Sequence, residues 1–398
     1  MLSQEMINLG QVRSVIREMF EYGNKRAAEI GRENVFDFSL GNPSVPAPAI
    51  VDETIKKLIA EEDSVKLHGY TSAPGDMGIR NTVANWLNDT YGTTFSGNNI
   101  YFTTGAAAAL TITFKAIAEK DDEIIVFAPF FPEYKVFIEN SGANMKIVKC
   151  RESDLQIDFE ALKAALNNNT KAVVINSPCN PSGVVFSEET IKELTNILKE
   201  AETKFGHPIF LISDEPYREL VYDNIEVPFI PNYYDNTIVC YSFSKSLSLP
   251  GERIGYILIS DKSFNPSLIF DAVAGAGRAL GYVCASSLFQ RVIPYCLGKT
   301  ADIEVYKKNR DILCEALKEN GFEIARPDGA FYLFVKALEK DANKFCENAK
   351  KFELLLVPSD SFGYEGYVRI SYCVSTEQII NSLPAFKKLA DGYKNGEF

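Results

Sequence analysis

The stretch YSFSKSLSLPGERIGY, residues 241–256, holds residue types that could perform imine chemistry on a phosphorylated ligand. An apolar run ends at Lys245, with Ser242 three residues before the lysine and Arg253 eight residues after it. An amine in a partly desolvated crevice can act as nucleophile and as base, and a hydroxyl with a fixed guanidinium suits a phosphate. A lysine in such a loop is also typical of a solvated surface, so this hypothesis needs support from other residues.

The elements that would position these groups are short β-rich runs that alternate with helical patterns. The runs are near-continuously apolar, as expected for strands covered on both faces. They span residues 100–104, 123–129, 171–177, 209–213 and 237–243. Between them, Ser187 and the acidic residues after it are typical of a helix start. This alternation predicts an α/β fold in which the large domain is a doubly wound, mostly parallel sheet.

Polar and aromatic groups follow the ends of these runs, where ligands of such sheets bind. They are Gly105, Phe130–Phe131, Asn180, Asp214 and Lys245. A helix N-terminus, an aromatic face, an amide, a carboxylate and an amine are therefore expected to converge at one edge.

Each supporting motif has a structural alternative when taken alone. The small residues of TTGAAAAL (103–110) could cradle a phosphate at a helix N-terminus, or could serve only tight helix packing. In ISDEPYREL (212–220), Asp214 could keep a pyridine nitrogen protonated while Tyr217 binds a ring oxygen, or Asp214 could be a helix N-cap. NSPCNPSG (176–183) is also a turn signal. Taken together, the groups describe a site for pyridoxal phosphate.

These motifs, in this order, resemble the fold-type I aminotransferases of class I/II, the aspartate-aminotransferase-like group, over roughly residues 30–390. The segment SFSKSLSLPGERIG carries most of that family's lysine motif, with its first glycine one residue early. The resemblance implies that Lys245 forms the Schiff base, Asp214 pairs with the pyridine nitrogen, and Tyr217 and Asn180 contact the ring oxygen. It further implies a stacking ring and a phosphate cup. These comprise Phe131 for the ring, and Gly105, Ala106, Ala107, Ser242 and Arg253 for the phosphate.

The resemblance also implies substrate and subunit contacts. Arg369 in YVRISYC is similar to the arginine that binds the substrate α-carboxylate, and Gly41 to a glycine that lets the N-terminal segment pass close to it. Tyr70 is similar to the tyrosine that reaches a neighbouring subunit's phosphate, which implies a homodimer. Arg278 is a candidate for a distal-carboxylate contact from the partner. Some aspartate-preferring relatives have a lysine where this chain has Ala107, so aspartate, aromatic and broad-range donors all stay open.

The chain length of 398 residues favours more than one domain. We predict an N-terminal arm that is part of the small domain (1–45), a large cofactor-binding domain (46–288) and a small α+β C-terminal domain (289–398). In the last region one long helix is expected from Ser286 to Glu319, and strands are expected at residues 329–335 and 367–373.

Composition excludes several classes of function. A formal net charge of −12 disfavours nucleic-acid and anionic-membrane partners. The sequence shows no signal-peptide or membrane-spanning pattern, which predicts a cytoplasmic protein. The eight cysteines lack metal-ligand spacing and are expected mostly as buried small hydrophobes, while two histidines give a metal site little to draw on. No metal is expected.

The expected activity is a ping-pong transfer of an amino group from an L-amino acid to a 2-oxo acid, with 2-oxoglutarate as the acceptor. A carbon–sulfur β-lyase of the same fold is the closest alternative, because it would use the same lysine for elimination. A non-catalytic cofactor-binding regulator is a further alternative, although such proteins usually carry a DNA-binding domain. The glycine-rich AGAGRALG (274–281) does not follow the first strand of a βαβ unit, which disfavours a dinucleotide site.

Overall fold

The computed structural model describes residues 2–11 and 15–398. Within those ranges the helices are α1 Gln4–Gln11, α2 Val15–Ile30, α3 Ala49–Glu61, α4 Ser64–His68, α5 Met77–Tyr91, α6 Ala106–Ile117, α7 Glu133–Ser141, α8 Phe159–Ala165, α9 Glu188–Phe205, α10 Phe243–Ser246, α11 Pro266–Ala279, α12 Ser287–Cys296, α13 Glu304–Glu319, α14 Ala342–Lys350 and α15 Thr376–Lys394. The strands are β1 Phe36–Asp37, β2 Ile100–Thr103, β3 Glu123–Ala128, β4 Asn144–Lys149, β5 Thr170–Asn176, β6 Phe210–Asp214, β7 Thr237–Ser242, β8 Gly255–Ile259, β9 Ile324–Ala325, β10 Tyr332–Lys336, β11 Leu354–Leu355, β12 Val357–Pro358 and β13 Tyr367–Ser371.

A seven-stranded sheet in the order β2-β8-β7-β6-β5-β3-β4 forms the centre of the described chain. Its strands are parallel except β8, which is antiparallel to both of its neighbours. The carboxyl ends of β2, β3, β5, β6 and β7 therefore meet at one edge. The prediction of an α/β fold with a large, mostly parallel sheet is confirmed.

Helices cover both faces of this sheet, which explains why its strands are apolar at successive positions. Ile124 and Val126 of β3 pack on one face, whereas Ile125 and Phe127 pack on the other, where α9 also lies. Ser187 caps α9 by accepting a hydrogen bond from the backbone N–H of Thr190, as its sequence indicated.

A four-stranded antiparallel sheet, β12-β13-β10-β9, and a two-stranded pair, β1 with β11, make up the rest of the sheet structure in the described ranges. The buried side chains of β10 and β13 share a core with α13, α14 and α15. Phe38 and Val45, from the first forty-five residues, belong to the same core. The β10–β13 pair carries Arg369 opposite Phe334 and thereby holds the arginine against the large sheet's edge.

The prediction of one continuous helix from Ser286 to Glu319 is wrong. The chain leaves the helical path after Cys296, where Leu297 has a ψ of 133° and Gly298 follows with a positive φ of 72°. The backbone N–H of Ala301 then donates to the carbonyl of Ser246 at 2.7 Å, beside the helix that carries Lys245. This hydrogen bond holds the segment between α12 and α13 against α10. The domain limits predicted above stay a prediction.

Candidate active site

A cavity of about 270 Å³ opens at the carboxyl ends of the parallel strands, between the large sheet and the β10–β13 pair. Its walls combine a helix N-terminus, strand ends and the segment that precedes α3. The lining residues are Ile16, Leu40, Gly41, Ala106, Ala107, Leu110, Phe131, Asn176, Asn180, Asp214, Pro216, Tyr217, Ser242, Ser244, Lys245, Pro250, Arg253, Tyr332 and Arg369.

One end of the cavity gathers groups that suit a phosphate. Gly105 precedes α6 with a φ of 92°, which favours glycine, and a Cβ there would lie 2.8 Å from Nη2 of Arg253, so the guanidinium approaches the helix N-terminus closely. The hydroxyls of Ser242 and Ser244 lie 2.8 Å apart at the same end. The positive helix end, the guanidinium and the hydroxyls are together suited to binding an anion.

The opposite end presents the carboxylate of Asp214, which is buried at the end of β6. The Tyr134 hydroxyl donates to its Oδ2 at 2.6 Å, whereas Oδ1 is buried without a hydrogen-bond partner among the described residues. Burial raises the pKa of Asp214 to about 7, although the Tyr134 hydrogen bond lowers it. A cationic N–H donor placed at Oδ1 would remove that penalty.

Tyrosine and amide groups lie between these two ends. The hydroxyls of Tyr217 and Tyr332 lie 2.9 Å apart, and a Cβ on Gly41 would lie 2.0 Å from the Tyr332 hydroxyl oxygen. Gly41 is therefore required for the close approach of its segment. The Asn180 side-chain carbonyl accepts from Nη1 of Arg369 at 3.1 Å.

Arg369 is buried, and its guanidinium lies over the rings of Tyr332 and Phe362 at 4.8 and 5.2 Å. Nη2 donates to the carbonyl of Ser39, while Nε has no partner among the described residues. Burial of this charge lowers the pKa of Arg369 from its ordinary value. A bidentate carboxylate from a ligand would compensate the cost.

Lys245 follows β7 in the short helix α10, and its Nζ donates to the carbonyl of Gly41 at 2.7 Å. Burial lowers the pKa of Lys245 to about 8, and the charges of Arg253 and Arg369 lower it further, against an opposing effect of Cys373. A neutral amine, the nucleophilic form, is therefore accessible near neutral pH.

This shift predicts how the cofactor-free protein takes up an aldehyde ligand as pH changes. Only the neutral amine attacks, and the neutral fraction grows as pH rises through the pKa. We expect the rate constant for loading pyridoxal phosphate to rise with a midpoint near 8, instead of near the ordinary lysine value of 10.5. Stopped-flow absorbance between pH 6 and 10 measures it, with reduction by borohydride to verify a covalent product. A midpoint near 10 would contradict the proposed effect of burial.

The cavity brings together most of the residues that the sequence analysis selected. Gly105 flanks it at the start of α6, and the others among these residues line it except Phe130, Tyr70 and Arg278. Tyr70 is 96% exposed, and Arg278 is also exposed on α11. Neither reaches this cavity from within its own chain.

Sequence reasoning missed several lining or supporting groups. Asn176 stands inside the quoted NSPCNPSG motif and ends β5, so its place at the sheet edge was an available signal. Tyr134 was not selected from the sequence, and its bond to Asp214 depends on the turn into α7. Tyr332, Ile16 and Leu40 come from distant segments, and their approach depends on how the smaller sheet packs.

The described residues fit pyridoxal phosphate. Asp214 Oδ1 is an unpaired buried acceptor that could pair with a protonated pyridine nitrogen, and the groups beside Gly105 and Arg253 could hold its phosphate. Lys245 supplies the amine between them. This fold and site define a pyridoxal-phosphate-dependent enzyme.

Comparisons with known proteins give the family. The model of "Aminotransferase class I and II" matches residues 33–385. The chain is 30% identical to an aspartate aminotransferase of Thermotoga maritima over 88% of this chain and 90% of that one. It is 31% identical to a probable N-acetyl-LL-diaminopimelate aminotransferase of Bacillus subtilis, over 88% of each. A crystal structure of an amino transferase from Eubacterium rectale has 57% identity and a TM-score of 0.97, covering 98% of this chain and 99% of that chain.

The chain belongs to the class I and II aminotransferases. It is a pyridoxal-phosphate-dependent transaminase, as its motifs indicated. In the ranges that the structure describes, no helix combines the length and apolar character that crossing a bilayer requires.

Proposed function

We propose that this enzyme moves the amino group of an L-amino acid to 2-oxoglutarate through two half-reactions of the ping-pong type, with an aspartate-type or broad-range donor. The observation that carries the proposal is the placement of Lys245 Nζ in one cavity with Asp214 and Arg369. An amine, a ring-nitrogen partner and a carboxylate-binding fork are the minimum that both half-reactions share.

Arg369 would bind the α-carboxylate of each substrate through a bidentate pair of parallel N–H···O hydrogen bonds. Its position is fixed by Asn180, by the Ser39 carbonyl and by the flanking rings of Tyr332 and Phe362. Carboxylate binding at this point directs the substrate Cα–H toward Lys245. Orientation of this kind supplies a large part of the rate enhancement of such enzymes.

Lys245 would first hold the cofactor and then, once a substrate amine has replaced it, move the Cα proton as base and acid. Bound pyridoxal phosphate supplies the electron sink for that proton's departure. The lowered pKa of Lys245 suits this proton transfer, because a base works best when its pKa lies near the working pH. Asp214, held by Tyr134, would keep the ring nitrogen protonated throughout.

The active unit is proposed to be a homodimer. Tyr70 lies in the segment between α4 and α5 and is almost fully exposed. This exposure suits a residue that contacts the phosphate bound by a second copy of the chain. Arg278 is proposed as a residue that contacts a distal substrate carboxylate in the partner site. A cytoplasmic location stays a prediction from composition.

The test is a half-reaction screen with purified, cofactor-loaded protein. We expect at least one L-amino acid, added alone, to convert the visible absorbance band to that of the aminated cofactor, and 2-oxoglutarate to restore it. Conversion by aspartate or glutamate would make Arg278→Ala the next variant. Pyruvate and ammonia released from a cysteine conjugate without any acceptor would instead identify a β-lyase, and no change with any donor would overturn the proposal.

A further inference from the structure

We propose that Asn176 is a positioning residue that joins the cofactor's ring-nitrogen partner to the substrate's carboxylate-binding arginine. The inference rests on the proposed function and goes beyond it by assigning a task to a residue that contacts neither reacting atom. Asn176 ends β5, opposite Asp214 in the parallel β5–β6 pair, and is 8% exposed. Its side chain lies between two strand ends that carry binding groups.

Both ends of the Asn176 amide are used. Nδ2 donates to the backbone carbonyl of Asp214 at 2.8 Å and lies 3.5 Å from the Oδ2 carboxylate oxygen of the same residue. Oδ1 accepts from the backbone N–H of Asn180 at 2.7 Å. The position therefore requires a donor on one side and an acceptor on the other, which an amide provides and a carboxylate or a hydrocarbon does not.

These bonds complete a chain of hydrogen bonds across the cavity floor. It runs from the Tyr134 hydroxyl to Asp214, through Asn176 to Asn180, and on to Arg369. Each functional end of the chain keeps one buried atom unpaired among the described residues, Oδ1 of Asp214 and Nε of Arg369. Those atoms would be available to the ring nitrogen and to the substrate carboxylate.

Asn176 therefore restrains both ends of this chain. Its amide holds the backbone N–H of Asn180, which precedes the side chain that accepts from Arg369, and it holds the carbonyl and lies near Oδ2 of Asp214. The buried amide also avoids adding a charge beside Asp214, whose pKa already rises with burial. A second carboxylate at this point would raise that pKa further.

The test compares Asn176→Asp and Asn176→Ala with the unaltered protein. For Asn176→Ala we expect the dissociation constant of pyridoxal phosphate, measured by equilibrium dialysis, to rise about tenfold, since a buried backbone N–H and carbonyl lose their partner. For Asn176→Asp we expect the pH midpoint of the visible band of the loaded protein to move upward by about one unit, because a second negative charge favours the protonated, cationic form of the loaded site.

Asn99→Ala is the matched control. Asn99 is also a buried asparagine that bridges backbone groups, donating to the carbonyl of Ile259 at 3.0 Å and accepting from the N–H of Ser96 at 2.9 Å, but it lies at the opposite end of β2 from the cavity. It should lower the melting temperature without moving the spectral midpoint.

The outcomes separate the two proposals. The positioning role is overturned if folded Asn176 variants keep the dissociation constant of pyridoxal phosphate and the pH midpoint of the visible band. It is also overturned if Asn99→Ala changes these two quantities as much as the Asn176 variants do. If Asn176→Asp does not fold, Asn176→Ala still decides through dialysis and its melting temperature. Failure of the unaltered protein to bind pyridoxal phosphate would overturn the proposed function itself, and this inference with it.

Discussion

Replacing Lys245 by alanine is expected to abolish the visible band of the covalently loaded protein and to lower turnover about 10⁴-fold or more, which is the upper range for loss of a positioned proton-transfer group. The variant loses two tasks at once, since the same amine holds the cofactor and moves the Cα proton. Alanine also leaves the Gly41 carbonyl without the donor that now lies 2.7 Å away. Rapid-scan absorbance and borohydride trapping, followed by mass analysis of the peptide, measure both losses.

Lys115→Ala provides the control for this experiment. Lys115 is exposed in the last turn of α6, whose first residues line the cavity, so it tests for effects of charge loss on the same helix. We expect the control to keep the band and its turnover. A Lys245→Ala protein that still traps covalently with borohydride would show that another lysine forms the bond.

Replacing Asp214 by asparagine is expected to lower turnover about 10²–10³-fold while the covalent band persists, the range found when one preorganised electrostatic partner is removed. The amide keeps the shape but gives no negative charge to hold a proton on the ring nitrogen. Steady-state rates and the absorbance spectrum of the loaded protein measure the two effects separately. Loss of the band with Asp214→Asn would mean that the carboxylate is needed for binding instead of for reactivity.

The same variant should be more stable than the unaltered protein when both are free of cofactor. Burial raises the pKa of Asp214 from 3.8 in the unfolded chain to about 7 in the folded one, so the folded state loses stability as pH rises from about 4 to 7 and stays destabilised above that. Asparagine cannot ionise, and its gain at pH 8 is bounded at about 4 kcal/mol. Thermal unfolding at pH 5 and pH 8 tests this: the stabilisation should be larger at pH 8.

Glu219→Gln is a close control for both effects. Glu219 is a second carboxyl group that accepts from a tyrosine, with the Tyr241 hydroxyl at 2.8 Å, and burial raises its pKa to about 7 as well. It does not line the cavity. Its replacement should reproduce the stability effect at pH 8 and leave turnover unchanged, which separates the buried charge from the chemistry.

The fold and most of the candidate site were accessible from the sequence because both depend on local patterns. Apolar runs of five to seven residues predicted β2, β3, β5, β6 and β7, and each predicted end lies within one residue of the observed end. The strands β4 and β8 were missed. NMKIVK in β4 has mostly exposed or half-buried positions, and β8 follows the lysine motif directly, where the sequence was interpreted as a binding loop.

What the sequence determined by itself is which groups meet. Gly105, Asn180, Asp214 and Lys245 each follow a strand in the chain, and a parallel sheet must bring such strand ends to one edge. The tertiary structure alone decided which groups support them. Tyr134 reaches Asp214 across 80 residues of sequence, and Arg369 reaches Asn180 across 189. The Tyr134 contact depends on how α7 packs on the large sheet, and the Arg369 contact depends on how the smaller sheet packs against the larger one. No local pattern encodes either packing.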